Sequence, residues 1–131
     1  MIAVDSNIIA YLFLGLAHGR AAEALLRSDQ DWVAPRLWRS EFRNVLAGCL
    51  RRRELDSTQA RAIQFEAEDF MAGGEYEVDS AAVLDLITRS DCSAYDCEYV
   101  VLAKQLGVGL VTADKRILHA FPEVAVPFPA E

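Results

Sequence analysis

Short apolar runs alternate with longer stretches of helical periodicity along this chain. The clearest runs occupy residues 2–4, 32–34 and 110–112, and weaker ones occupy 76–78 and 124–126. Each run is too short for a helix and favours a strand. Between the runs, apolar side chains recur every three or four positions, which predicts helices. The predicted helices start near residue 8 and then cover 19–27, 37–52, 58–71, 80–89, 95–106 and 115–120.

Residues that begin and end helices stand at the borders of these stretches. Asp56 and Gln59 have the spacing of a capping box, and Gly107 stands where a left-handed residue would end a helix. Because apolar strands alternate with helices, the pattern predicts a parallel sheet covered on both faces. We therefore expect an α/β fold, a three-layer α/β/α sandwich with a short, mainly parallel central sheet.

Length and composition predict a single domain over residues 1–131. Apolar residues make up 53% of the chain, which is enough to build a substantial core. The apolar runs are too short for a transmembrane helix, and the first residues lack the basic and apolar segments of a signal peptide. We therefore expect no membrane partner and a cytoplasmic location.

The cysteines and histidines do not favour a disulfide framework or a zinc site. Cys49, Cys92 and Cys97 are odd in number and lack Cys-x-x-Cys spacing, which favours reduced thiols. His18 and His119 are too few and too isolated to anchor a zinc ion or a histidine-based triad. Structural or surface roles are the simpler interpretation for both histidines.

The net charge of −7 restricts the function. A nucleic-acid-binding protein usually presents a basic face, and this chain as a whole is acidic. Two explanations compete. Either nucleic acid is not the partner, or several acids share a pocket in which a divalent cation neutralises them before a phosphate arrives. The positions of the acids decide between these explanations.

Two aspartates follow predicted strands closely. Asp5 comes directly after the run at 2–4, and Asp114 follows the run at 110–112 by one residue. In open parallel sheets, ligands bind in the crevice at the carboxyl ends of the strands. We therefore expect both side chains in that crevice, although each alone could be an ordinary helix cap.

Two further carboxylates lie near the apolar faces of predicted helices. At about 100° per residue, Glu41 falls at the margin of its apolar stripe, and Asp96 projects toward the side of Tyr99. Burial of an unpaired carboxylate is costly, so each needs compensation. Singly, Glu41 could pair with an arginine and Asp96 with the helix dipole. Together with the two strand-end aspartates they favour one hard cation, Mg²⁺ or Mn²⁺.

The ordered set of four acids and their flanking residues resembles the PIN-domain family. The ordered set is more specific than any single motif, because a strand followed by an aspartate is common. The resemblance covers residues 1 to about 118, and the single-domain form is similar to VapC-type toxins of toxin–antitoxin pairs. It rests on Val4-Asp5-Ser6-Asn7-Ile8-Ile9, Glu41 with Val45-Leu46, Ser93-x-Tyr95-Asp96-x-x-Tyr99 and Leu110-Val111-Thr112-Ala113-Asp114.

This resemblance implies a ribonuclease that uses one or two Mg²⁺ or Mn²⁺ ions. In PIN domains the metal acidifies a water that attacks the phosphorus in line, and it stabilises the leaving oxygen. The matching positions imply Asp5, Asp96 and Asp114 as principal ligands, with Glu41 holding a metal-bound water or a second ion. Residues that would orient these carboxylates are Ser6, Asn7 and Thr112. Ordinary capping and strand-end hydrogen bonds explain those three residues equally well.

Basic and apolar residues near the acids suggest partners. Arg36, Arg39 and Arg43 surround the acid of the third predicted helix, and they either contact RNA phosphates or balance the acids. The apolar cluster formed by 11–14 and Leu16 belongs to the core, or to a dimer face or an antitoxin site. The resemblance implies a homodimer and an antitoxin that blocks the acidic site. Such an antitoxin would act in trans.

Other classes of protein compete with this interpretation. A PIN-like domain could bind RNA or protein without cutting, but such a domain has no need of four costly carboxylates. A phosphotransfer receiver or a phosphatase needs a lysine beside its aspartate. Lys104 lies on the opposite side of its helix from Asp96, and Lys115 follows Asp114 in a different geometry. A DNA nuclease remains a further candidate.

Overall fold

Five short strands form one parallel sheet. The strands are β1 (Ile2–Val4), β2 (Trp32–Pro35), β3 (Glu75–Tyr76), β4 (Leu110–Thr112) and β5 (Ala125–Pro127). The computed structural model describes residues 1–15 and 17–129. Within these residues the strand order is β3-β2-β1-β4-β5, and each neighbouring pair runs parallel.

Helices connect the strands close to their predicted positions. They are α1 (Ser6–Leu14), α2 (Gly19–Ser28), α3 (Trp38–Arg51), α4 (Ser57–Met71), α5 (Ser80–Ile87), α6 (Ala94–Leu106) and α7 (Lys115–Ala120). α1 begins earlier than predicted because the Asp5 side chain itself accepts the first free N–H groups of the helix. α6 begins at Ala94 because Ser93 caps it, and Gly107 ends it in the left-handed conformation, as predicted.

Pro35 belongs to β2, whereas its position after an apolar run predicts the end of the strand. Ala34 and Arg36 donate their N–H groups to carbonyl oxygens at the β3 edge, at 2.9 and 3.1 Å. Position 35 therefore directs its missing N–H toward β1. The last registered pair between β1 and β2 is Ala3–Val33, so the ladder needs no donor at the proline.

The helices cover both faces of the sheet. From β1 the chain passes outward to β2 and β3, and then returns to β4 and β5 on the other side of β1. Because parallel crossovers are right-handed, α1 to α4 cover one face and α5 to α7 the other. Contacts agree, since α1 packs against α2, α3 and α4, while α5 packs against α6. The predicted three-layer sandwich is confirmed, and its sheet is wholly parallel.

The buried core fixes the position of α6 against the sheet. α6 packs on β1 and β2 with continuous burial from Tyr99 to Ala103. On the other face, the apolar residues at 11–14 are half-buried and pack against the core, and Leu16 lies outside the described residues. No single helix in the described part of the chain is both long and apolar enough to cross a membrane.

The strand order reverses between β1 and β4, which opens a crevice at their carboxyl ends. Asp5 is the first residue after β1, and its backbone N–H donates to the Val111 carbonyl of β4 at 3.4 Å. Asp114 follows β4 by one residue. The topology therefore sets two of the predicted site residues on adjacent strands at this crevice.

Candidate active site

A buried hydroxyl joins Asp5 to Asp114 at the carboxyl ends of β1 and β4. Thr112 is fully buried, donates its O–H to Oδ2 of Asp5, and accepts the backbone N–H of Asp114 at 3.0 Å. Each aspartate also caps a helix. Oδ1 of Asp5 accepts two N–H groups of α1 at 3.1 and 3.3 Å, and Oδ1 of Asp114 accepts two of α7 at 2.8 and 3.3 Å.

The Asp5 carboxylate is buried, with 8% of the residue exposed. Burial raises the pKa of Asp5 above its ordinary value, and the nearby charge of Asp114 adds to the increase. Hydrogen bonds from Thr112 and from the backbone of α1 act in the opposite direction and lower this pKa. The fold thus disfavours the charged form of Asp5, and a bound cation would stabilise that form.

Glu41 on α3 is bound to Tyr99 on α6. The Tyr99 O–H donates to Oε1 of Glu41 at 2.6 Å. Burial, reinforced by the charge and hydrogen bond of Glu41, raises the pKa of Tyr99 well above its ordinary value, so the hydroxyl stays protonated. The charge of Asp5 adds to this shift and a hydrogen bond with Ser6 opposes it. Tyr99 is therefore bonded to Glu41 and is close enough to Asp5 to be affected by its charge.

Asp96 lies half-buried in the first turn of α6, where its backbone N–H donates to Oγ of Ser93 at 3.0 Å. Burial is the main cause that raises the pKa of the nearby Cys92 thiol, and the charges of Asp96 and Asp114 contribute. Because α6 leads into the start of the parallel strand β4, its first turn, which carries Asp96, lies toward the carboxyl ends of the strands.

The donor set suits a hard divalent cation, because it consists of carboxylate oxygens. Within residues 1–15 and 17–129, none of the four acids forms an ion pair with a lysine, arginine or histidine. Over the same ranges, no three Asp, Glu, His or Cys side chains stand in a ready coordination geometry. The acids therefore share one edge without forming a preassembled cage. Coordination would require them to turn toward the ion.

The three residues predicted to orient the acids play different roles. Thr112 fixes Asp5 and the backbone of Asp114 directly. Ser6 is buried beside Tyr99. Asn7 bonds to Asp5 through its backbone N–H, and its side chain is exposed at the mouth of the crevice.

The predicted arginines separate in the structure. Arg39 binds Glu75 through Nε at 2.6 Å and through Nη2 at 2.7 Å, and it binds Glu68 at 3.0 Å. Both of these acids are outside the predicted site. Arg43 is exposed and donates to the Ser40 hydroxyl at 3.1 Å, and Arg36 lies exposed at the end of β2.

Several residues near the site carry no role in the sequence-based prediction. Tyr99 is the clearest example. Its position three residues after Asp96 on the same helix was the sequence signal that it lies on the same face as that acid. Glu98 is half-buried, and burial together with the charges of Glu41 and Glu77 raises its pKa. Beside Glu41 runs a groove of about 440 Å³, here called the α3 groove, which is lined by Ser6, Asn7, Leu37, Ser40, Glu41, Asn44, Val45 and Tyr95.

The chain belongs to the PIN-domain family, whose model matches residues 2–125. Ribonuclease VapC3 from Pyrobaculum aerophilum is 26% identical over 129 residues, which span 96% of this chain and 98% of that protein. FitAcB from Neisseria gonorrhoeae has the same fold, with a TM-score of 0.76 at 21% identity and 98% of each chain covered. A toxin–antitoxin complex from Klebsiella pneumoniae gives a TM-score of 0.70 at 15% identity, with 96% of each chain covered.

Proposed function

We propose that this chain is an endoribonuclease that depends on Mg²⁺ or Mn²⁺ and hydrolyses RNA phosphodiester bonds. The observation that carries the proposal is the pair Asp5 and Asp114, whose carboxylates lie at the reversal of strand order without a cationic partner in the described ranges. Membership of the PIN family and a full-length relative named as a ribonuclease support the same activity.

The metal ligands in this proposal are Asp5, Asp96, Asp114 and Glu41. When bound, a divalent cation lowers the pKa of a coordinated water and offsets the charge of the scissile phosphate. Thr112 and the first turn of α1 hold the orientation of the Asp5 carboxylate, so the other acids would turn toward an ion bound beside it. Asp114 uses Oδ1 to cap α7, which leaves Oδ2 available as a ligand.

Glu41 serves as an acceptor that a protonated tyrosine holds in place. Because the pKa of Tyr99 is raised well above its ordinary value, Tyr99 donates to Oε1 throughout the neutral range. The second oxygen of Glu41 remains available to orient a water or a second cation at the α3 groove. Phosphates of the RNA would meet Arg36 and Arg43, which are exposed, whereas Arg39 is engaged with Glu75 and Glu68.

We further propose that the chain is the toxin of a VapBC-type pair, that it forms a homodimer, and that a separately encoded antitoxin blocks the acidic site. The name of the Pyrobaculum relative and the toxin–antitoxin complex from Klebsiella support the pairing.

The test is cleavage of total cellular RNA by the protein purified free of any antitoxin, with Mg²⁺ or Mn²⁺ and with EDTA. Asp96→Asn keeps the shape of the side chain and removes its charge. Asp69→Asn makes the same change at an exposed position of α4 and serves as the matched control. We expect discrete fragments from the wild type and from Asp69→Asn, and none with EDTA or from Asp96→Asn.

Circular dichroism would establish that both variants are folded. An active, folded Asp96→Asn protein would contradict the proposed metal site. If the wild type binds RNA but cuts none of it under any metal condition, a non-catalytic PIN-like domain that binds RNA or protein becomes the better assignment.

A further inference from the structure

The α3 groove differs in chemistry from the acidic crevice beside it. The groove is lined by one face of α3 and by Leu37 directly before it, and the start of α1 and of α6 complete it. The α3 residues are Ser40, Glu41, Asn44 and Val45. Glu41 is its single charged lining residue, and the other polar groups are hydroxyls and amides. A phosphate-binding site would present arginine or lysine, so this groove is better suited to an uncharged polar group.

Tyr95 stands at the end of this groove with its ring in solvent. The residue is 60% exposed, although it directly precedes the half-buried Asp96. Leu37 and Val45, which also line the groove, are half-buried apolar side chains. The lining of the groove thus combines one aromatic ring, two apolar side chains and several polar groups.

We propose that the α3 groove holds one nucleobase of the substrate, stacked on the ring of Tyr95, with Ser40 and Asn44 facing the edge of the base. This proposal rests on the proposed ribonuclease function and adds Tyr95 as the residue that positions the RNA. Base–aromatic stacking tolerates all bases, and an amide can both donate to and accept from a base edge. The volume of about 440 Å³ lies in the range of small-ligand sites.

Stacking at this place would position the phosphate next to the acids. Tyr95 is adjacent in sequence to Asp96, and Glu41 belongs to both the groove and the acidic site. A base held in the groove therefore brings its own backbone to the crevice. Tyr95 acts as a positioning residue, and its loss should weaken binding of base-containing RNA while leaving the acids unchanged.

The test compares binding of two probes in Ca²⁺ by fluorescence anisotropy: a short labelled oligoadenylate and a labelled ribose–phosphate chain of the same length without bases. The variants are Tyr95→Ala, Tyr95→Phe, which keeps the ring, and Phe65→Ala. Phe65 is 66% exposed on α4 and serves as a matched loss of an exposed aromatic side chain. We expect Tyr95→Ala to weaken oligoadenylate binding by about 5- to 150-fold, the range for one lost stacked base.

Tyr95→Phe and Phe65→Ala should bind oligoadenylate like the wild type, and all four proteins should bind the abasic chain equally. The proposal is overturned if the wild type does not prefer the probe with bases, or if Tyr95→Ala loses affinity for both probes alike. Cleavage of RNA by the wild type in Mn²⁺ distinguishes failure of the base-binding proposal from failure of the ribonuclease proposal. If the wild type cleaves RNA and Tyr95→Ala binds oligoadenylate normally, only the proposal of base binding in the α3 groove fails. If the wild type neither cleaves RNA nor binds oligoadenylate, the ribonuclease proposal fails as well.

Discussion

Replacing Thr112 tests whether its hydroxyl stabilises the charged carboxylate of Asp5 in the crevice. Thr112→Val keeps the shape of the side chain but removes the hydrogen bond to the Asp5 carboxylate and the acceptor for the Asp114 N–H. A hydrogen bond to a charged group contributes about 1.5–3 kcal/mol, and a neutral one about 1 kcal/mol. The new buried methyl group returns about 0.8 kcal/mol. We expect a net loss of about 2–3 kcal/mol in the free energy of unfolding at neutral pH.

The loss should depend on pH in a defined direction. Burial raises the folded-state pKa of Asp5 above its ordinary value, and the Thr112 hydrogen bond partly opposes this. The folded wild type therefore binds a proton more tightly than the unfolded chain, and Asp5 makes stability fall as pH rises through that window. Thr112→Val raises the folded pKa further, so its stability should fall over a wider window, by at most about 1.4 kcal/mol per pH unit.

Urea denaturation in EDTA, from about pH 4 to about pH 8, measures both effects. Thr112→Ser keeps the hydroxyl and loses a buried methyl group, so it should cost about 1 kcal/mol at every pH. If Thr112→Val and Thr112→Ser lose the same free energy across the whole range, the hydroxyl does not help to keep Asp5 charged. In the active enzyme, Thr112→Val should also raise the Mn²⁺ concentration needed for half-maximal cleavage by about 10- to 100-fold.

Other contacts give further predictions. Tyr99→Phe should lower the free energy of unfolding by about 1.5 kcal/mol and lower kcat more than it changes KM, because Glu41 loses its donor; denaturation and steady-state kinetics measure these. Mn²⁺ should raise the Tm of the wild type by mass action, and should raise that of Asp114→Asn much less. Arg39→Ala should cost about 1–3 kcal/mol by urea denaturation, because Glu75 loses its ion pair and keeps only the Trp38 N–H as donor, while RNA cleavage persists.

Each of these has an outcome that contradicts its reasoning. A Tyr99→Phe enzyme with unchanged kcat would show that Glu41 needs no fixed orientation. Equal thermal shifts by Mn²⁺ in the wild type and Asp114→Asn would place the bound cation elsewhere. An Arg39→Ala protein that is stable but inactive would indicate that Arg39 contacts RNA.

The elements of the fold could be predicted because their signals are local. The strand at 110–112 and the helix at 115–120 have their predicted bounds, since apolar runs and helix periodicity are properties of neighbouring residues. The crevice position of Asp5 and Asp114 follows from topology, because each residue ends a parallel strand. Pro35 departs from its local signal because the edge toward β1 needs no donor at that place.

The contacts that shape the site could not be predicted in the same way. Glu41 and Tyr99 are separated by 58 positions, and periodicity indicates only that each lies near an apolar face. Arg39 lies two residues before Glu41, yet its partner is Glu75 across the fold. The half-buried position of Glu98 depends on how α6 meets the sheet. Such pairings follow from tertiary packing, which a single sequence does not specify.

The bridge from Thr112 to Asp5 joins residues that are 107 positions apart. Contacts between such distant segments form late in folding compared with those within one helix. Until β4 pairs with β1, Asp5 has neither its hydroxyl donor nor its neighbouring carboxylate. A partly folded chain in which β4 is undocked would therefore lack the proposed activity, even with its helices formed.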